Sequence, residues 1–270
     1  MLVDGRPALD PARRVGEGEK VEIRAEGRAP RREPGLTDLV VHLDADVAVV
    51  RKPAGLLTVP FERDDRDTLL ALARVAVRRI EGGKGNPTLR AVQRLDKETS
   101  GLVVFARTIP VQRDLQEQLG ERSVLRRYLA IVHGEAGDAV YETFLVPNRG
   151  DGLRGSWGVF RAALERPPAE AREAITRVTV KERLRGATLL ACELGTGRQH
   201  QIRIHLAEAG HPLVGETVYI RDWRGPLIPA PRPMLHASNL GFVHPRTGKR
   251  LRFEEPPPED FAAVVKRLRG

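Results

Sequence analysis

Cysteine is nearly absent: the 270-residue chain contains one, Cys192. A lone thiol excludes an internal disulfide and any multi-cysteine metal centre, and it suits a reducing compartment. Aromatic residues are scarce as well, at 4%, which disfavours the broad stacking surfaces of single-strand binders. No apolar run approaches the ~20 residues of a membrane-spanning helix. The opening residues, MLVDGRPALDPARR, lack the long apolar stretch of a signal peptide. The expectation is a cytoplasmic protein with no membrane partner.

Charge of one sign is what the chain has in excess. Lys and Arg number 45 against 36 Asp and Glu, a formal charge of +9. Such an excess suits a protein that meets a polyanion, because each phosphate contact releases counterions; a basic enzyme without such a partner is the alternative. Hydrophobic residues make up 41%, enough for a substantial core.

Residues 1–27 read as a short β-rich unit, with the turn Asp4-Gly5 and an alternating KVEIR strand at 20–24. Twenty-seven residues cannot bury a core of their own. Residues 28–38 follow as a linker, rich in Pro and Arg near its start, and residues 39–270 form the main domain. There, VVHLDADVAVVRKPAG supplies two apolar strands broken by Asp44-Ala45-Asp46. Asp67 is placed to cap a helix carrying Leu70, Ala73, Val77 and Ile80, ended by Gly82-Gly83. A second helix after Pro110 aligns Val111, Leu115 and Leu119. Tyr128–His133 reads as a strand, and Thr176–Lys181 with Thr188–Leu194 as a hairpin. Residues 147–170 read as a long surface loop. The irregular order of strands and helices favours an α+β fold with a mostly antiparallel or mixed sheet.

Three segments can carry chemistry. In QRLDKETSGLVVF, Asp96 lies between Arg94 and Lys97 in a polar loop before a buried strand. A carboxylate there can be an ionised nucleophile or base, or a surface residue paired with Arg94 or Lys97. In LGTGRQHQIRIHLAEAG, a helix over 197–209 would place Gln199 and Arg203 on one side, one turn apart. Its first amides, beside Thr196, would favour an anion. Metal binding by His200, His205 and His211 is disfavoured by their spacing. In RRYLAIVHG, Tyr128 is an aromatic strand residue, and His236 in PMLHASNLGF reads as a structural histidine.

In their order along the chain, KPAGLLTVP, QRLDKETSGLVVFAR, RRYLAIVHG, TGRQHQIRIHLAEAGHPLVGETVY and MLHASNLGFVHP resemble the RluA family of pseudouridine synthases. The likeness runs from about residue 45 to 260. It implies an α+β fold with a central, mostly antiparallel mixed sheet, flanking helices and a catalytic cleft. It also implies isomerisation of uridine to pseudouridine in RNA, with no metal and no organic cofactor. By the same resemblance Asp96 is the essential catalytic residue, attacking the ribose anomeric carbon or the uracil ring or acting through a glycal intermediate. Arg203 pairs with it and keeps it ionised and aimed, and Tyr128 lines the pocket against the uracil, as a stacking group or as the base that removes the C5 proton. Gln93 stands where the family usually has His, a position that helps hold the displaced RNA strand, and the basic Arg94 and Arg198 are expected to grip flanking phosphates. Glu216 replaces the usual Asp in GETVY, a change expected to matter little.

Residues 1–27 are similar to the second half of an alpha-L RNA-binding module whose helical half is missing. By analogy that module favours ribosomal RNA, of the large subunit, over transfer RNA as the partner. The chain is expected to act as a monomer. Two rivals stand beside this reading. One is a catalytically silent RNA-binding or ribosome-assembly factor on the same fold. The other is a hydrolase of nucleosides or glycosides, which would need a second carboxylate as general acid.

Overall fold

A computed structural model describes residues 2, 3, 6, 7, 18, 21, 22 and 35–270, apart from 63, 64, 66, 84 and 160–165. The chain divides into two units, Met1–Gly35 and Leu36–Gly270. In the first, β1 (Leu2–Val3) pairs antiparallel with β2 (Arg6–Pro7) and with β3 (Val21–Glu22). Most of the proposed linker, 28–34, lies outside the described residues.

The second unit is built on eleven strands. They are β4 (Val40–Leu43), β5 (Val47–Lys52), β6 (Arg90–Ala91), β7 (Ser100–Ala106), β8 (Leu125–His133), β9 (Ala139–Val146), β10 (Gly155–Ser156), β11 (Arg172–Leu184), β12 (Ala187–Leu194), β13 (Leu235–Val243) and β14 (Arg250–Glu254). The main path runs β10-β9-β11-β12-β8-β13-β7-β5-β4, with β14 beside β13 and β6 beside β7. Among these pairings β13 with β7 is parallel and the others antiparallel, so the sheet is mixed and mostly antiparallel.

Central strand β7 is buried along its whole length, and its pleat divides the core. Val103 and Phe105 pack with Leu69, Ala73 and Val77 of α1 (Leu69–Glu81) on one face. Leu102, Val104 and Ala106 meet Val111 and Leu115 of α2 (Ile109–Gly120) on the other. A period of two along a strand buried on both faces gives this alternation. At Gly101, φ is +119° and a side-chain carbon would collide with the backbone of Ala237. Only glycine permits that approach of β7 to its parallel neighbour. A third cluster gathers Phe261, Val264, Val265 and Leu268 of α4 (Glu259–Arg269) against Ile131 and Met234.

Three local expectations need correction. Thr68, not Asp67, caps α1, its hydroxyl accepting from the amide of Ala71; the turn places Thr68 one residue closer to the first free amides. Ile80 is exposed, and Leu69 and Ala76 are buried in the stripe instead. The helix read over 197–209 is α3 (Gln201–Glu208), and Gln199 lies in the turn before it. His200 blocks an earlier start, because its φ of 59° is left-handed.

A candidate active site in the cleft beside β7 and β8

The loop from β6 to β7 carries Asp96, and the surrounding structure ties it at several points. The hydroxyl of Thr58 donates to the carbonyl of Leu95 (2.9 Å) and accepts from its amide (3.1 Å). Lys52 Nζ donates to the carbonyls of Lys97 (2.7 Å) and Pro53 (3.0 Å). Arg232 donates to the carbonyl of Glu98 (3.0 Å) and is itself held by Asp260 at 2.8 Å. These bonds fix the backbone on both sides of Asp96, so its carboxylate is aimed by a rigid frame. Lys52 is fully buried there, and burial pulls its ammonium down to about 7 against the opposing pull of Glu98 and Asp96.

Asp96 opens onto a cleft of about 830 Å³, also lined by Tyr128, Gln93, Arg94, Arg198 and Arg203. All six sequence-predicted site residues therefore share one cavity. The cation that meets Asp96 is Arg203, with Nη1 at 3.7 Å from the carboxylate, not the adjacent Arg94 or Lys97, whose side chains are exposed. At that distance the contact is Coulombic and not a hydrogen bond.

Beside this ion pair with Asp96, the hydrogen bonds of Arg203 go to a second carboxylate. Its Nε and Nη2 donate to the two carboxylate oxygens of Glu216, at 2.8 and 2.7 Å. The Glu216 carboxylate is wholly buried and also accepts from the amides of Thr217 (3.1 Å) and Val218 (2.9 Å). Burial alone would raise its pKa; the bonds from Arg203 and the backbone amides hold it below the ordinary value. Burial likewise works against the Arg203 charge, and Glu216 first and Asp96 after it more than offset that. The guanidinium thus presents a fixed edge to Asp96, because a bidentate fork locks its plane. Glu216, given little weight in the sequence, is the anchor of the pair.

Tyr128 projects from β8 into the cleft, buried at 7% exposure, and burial pushes its phenol up to about 12. It therefore carries its proton at neutral pH. Tyr219 lies under Arg203, with the guanidinium carbon 5.3 Å from the ring centre. Its hydroxyl lies 2.8 Å from Nδ1 of His200. Arg94 is exposed at the rim, and Nε of Arg198 donates to the carbonyl of Glu173 at 2.9 Å. Phe61, 83% exposed, also lines the cleft.

Of the amides expected to be free before α3, that of Arg198 is engaged. Gln201 turns its side-chain oxygen back to the amide of Arg198 (3.0 Å) and to the hydroxyl of Thr196 (2.8 Å). The three histidines of this region each bond elsewhere: His200 to Tyr219, His205 to Thr143 and Thr176, and His211 to the carbonyl of His133. Asp44, Asp46 and His244 do lie close together. There Asp46 already takes Arg246 at 2.6 Å, and Asp44 holds the amides of Asp46 and Val47.

Residues 46–208 match the RNA pseudouridylate synthase family. The chain is 37% identical to ribosomal large subunit pseudouridine synthase D of Nitrosomonas europaea, over 84% of this chain and 64% of that protein. It is 33% identical to the protein of that name in Xanthomonas campestris, over 99% and 81%. In fold it is similar to human RNA pseudouridylate synthase domain containing 4, with a TM-score of 0.69 and 24% identity over 87% and 94% of the two chains.

Proposed function

This chain belongs to the RNA pseudouridylate synthase family, and we propose that it isomerises uridine to pseudouridine in structured RNA. The reaction exchanges the N1–C1′ bond of the nucleoside for a C5–C1′ bond, and the proton lost from C5 is balanced by one gained at N1. No atom enters or leaves, so the site needs a group that labilises the glycosidic bond and a cleft that keeps the freed uracil in place. The observation that carries this reading is the Asp96 carboxylate facing Arg203 Nη1 at 3.7 Å inside the cleft, while Glu216 occupies the rest of that guanidinium.

In this reading Asp96 is the reacting carboxylate and Arg203 its charge partner. An anion must work beside a polyanionic substrate, and the local cation offsets that repulsion. Tyr128 packs against the uracil, and burial favours the protonated form of its phenol. Arg94, Gln93 and Arg198 hold the RNA around the extruded nucleotide; unstacking it costs a few kcal/mol. Glycoside hydrolysis would need a second carboxylate able to give up a proton. The nearest buried candidate, Glu216, is kept ionised by Arg203.

The substrate we assign is large-subunit ribosomal RNA, supported by the names of the relatives above. Residues 1–27 are assigned as an RNA-binding appendage joined by 28–38 to the catalytic domain, 39–270. No helix among the described residues is long and apolar enough to cross a membrane. We propose that it acts as a cytoplasmic monomer; its single, buried Cys192 suits a reducing compartment. Mapping pseudouridine in ribosomal and transfer RNA from cells with and without the gene tests the assignment. The expected result is loss of one or more large-subunit positions; an unchanged map, or loss confined to transfer RNA, would overturn it.

A further inference from the structure

Arg126 sits two residues before Tyr128 on β8. Residues two apart on a strand face the same way, and both line the cleft. Arg126 is 7% exposed, and its Nε is buried without a hydrogen-bond partner. Its Nη2 has only long contacts, 3.4 Å to the carbonyl of Leu194 and 3.5 Å to that of Gly195. Among the described residues no carboxylate pairs with it. The nearby Glu193 is taken by Arg127 at 2.9 Å, and the other cation acting on Arg126 is Arg198. Burial lowers its pKa; Tyr128 works against that shift and Arg198 adds to it. A buried cation without a counter-charge is costly by several kcal/mol, so folding leaves a site that an anion would relieve.

The approach to that guanidinium is kept open by a glycine. A side-chain carbon on Gly197 would collide with Nη1 of Arg126. Gly197 does not have a positive φ, so what glycine supplies here is room and not backbone freedom. Arg198, exposed, is the next residue and also lines the cleft.

We propose that Arg126, reached past Gly197 and flanked by Arg198, is a preformed phosphate subsite that takes the phosphate of the nucleotide whose base lies against Tyr128. The Arg126-to-Tyr128 step along the strand, about 6.7 Å, is the scale of one nucleotide. This rests on the RNA-substrate reading above. The phosphate enters with its charge offset by Arg126 and Arg198 and holds the extruded nucleotide by its own backbone, so that the sugar is presented to Asp96. A guanidinium suits this task because its fork matches two phosphate oxygens.

The experiment compares wild type, Arg126→Gln, Arg126→Lys and Gly197→Ala. The probes are inorganic phosphate, uridine monophosphate, uridine and transcribed large-subunit ribosomal RNA. Inorganic phosphate should raise the melting temperature of the wild type and leave that of Arg126→Gln unchanged. Uridine monophosphate should bind the wild type about 10-fold or more tighter than uridine does, the scale of a charged hydrogen bond, and Arg126→Gln and Gly197→Ala should erase the difference. Arg126→Lys should restore part of it. The salt slope of RNA binding should fall by about one in Arg126→Gln.

Equal affinity of the wild type for uridine and its monophosphate would overturn the proposal without reference to any variant. So would an Arg126→Gln protein that melts earlier but keeps both the phosphate effect and the salt slope, because that is a merely structural arginine. If phosphate protects through Arg126 while the wild type forms no pseudouridine in any RNA, the subsite stands and the functional reading falls. Pseudouridine formation with phosphate-blind binding gives the reverse.

Discussion

Replacing Glu216 by Gln removes the charge that anchors Arg203 while keeping the size of the side chain. The carboxylate is wholly buried, bidentate to Arg203 at 2.7 and 2.8 Å, and bonded to backbone amides. Removing one member of a buried pair costs about 3–5 kcal/mol, and here it leaves Arg203 with only the longer contact to Asp96 at 3.7 Å. The amide of Gln can still accept one bond, so the lower end, about 3 kcal/mol, is expected. In a domain of this size that lowers the melting temperature by about 6–12 °C. Freed from its fork, the Arg203 edge no longer faces Asp96 in one position, and the single-turnover rate at saturating RNA should fall about 100-fold. The sign with pH is also determined. The folded-state pKa of Glu216 is depressed, so its contribution is fully present above the ordinary glutamate value of about 4.3 and is lost as pH falls through the folded value. Wild type and variant should therefore converge in stability in acid. The measurement is thermal unfolding from pH 3 to pH 8 beside single-turnover kinetics at pH 7.5. A variant melting within about 2 °C of wild type at neutral pH, or turning over at the wild-type rate, would refute the anchoring role.

Thr58→Val keeps the shape of a side chain that makes two buried bonds to the backbone of Leu95; leaving those groups unsatisfied should cost about 1–3 kcal/mol in chemical denaturation, and an unchanged midpoint would show that the loop is held by other means. RNA affinity should fall linearly with salt on logarithmic axes, each neutralised phosphate adding slightly less than one to the slope; a flat profile would place the +9 charge off the RNA path. Cys192 is fully buried, and burial pushes its thiol up to about 12, so a thiol reagent at pH 8 should leave it unlabelled until the chain unfolds; rapid labelling of the folded protein would contradict the packing.

The loop carrying Asp96 and the strand after it were legible because their signals are local. A polar turn, a glycine and five apolar residues define the entry to β7, and the alternation along it places both core faces. The two strands around Asp44-Ala45-Asp46 were legible for the same reason. The start of α3 was not. Every residue from Gln201 to Leu206 is buried, so no amphipathic stripe marks the helix, and its first turn depends on a left-handed His200 and a back-bonding Gln201. Glu216 was missed as the anchor of Arg203 because the pair forms between α3 and the irregular chain after it, thirteen residues on, where no periodicity relates one charge to the other. Lys52 and Arg126 were passed over for a related reason: both lie on strands, and a basic residue on a strand gives no sign in sequence of whether it is solvated or buried unpaired.

The central claim is that Asp96 performs the chemistry in this cleft. Single-turnover conversion of uridine to pseudouridine in transcribed large-subunit ribosomal RNA, measured for wild type and Asp96→Asn at saturating protein, tests it most directly. The account predicts conversion by the wild type and a loss of several orders of magnitude in the variant, with melting temperature and much of the RNA affinity retained. Near-normal conversion by Asp96→Asn would contradict it.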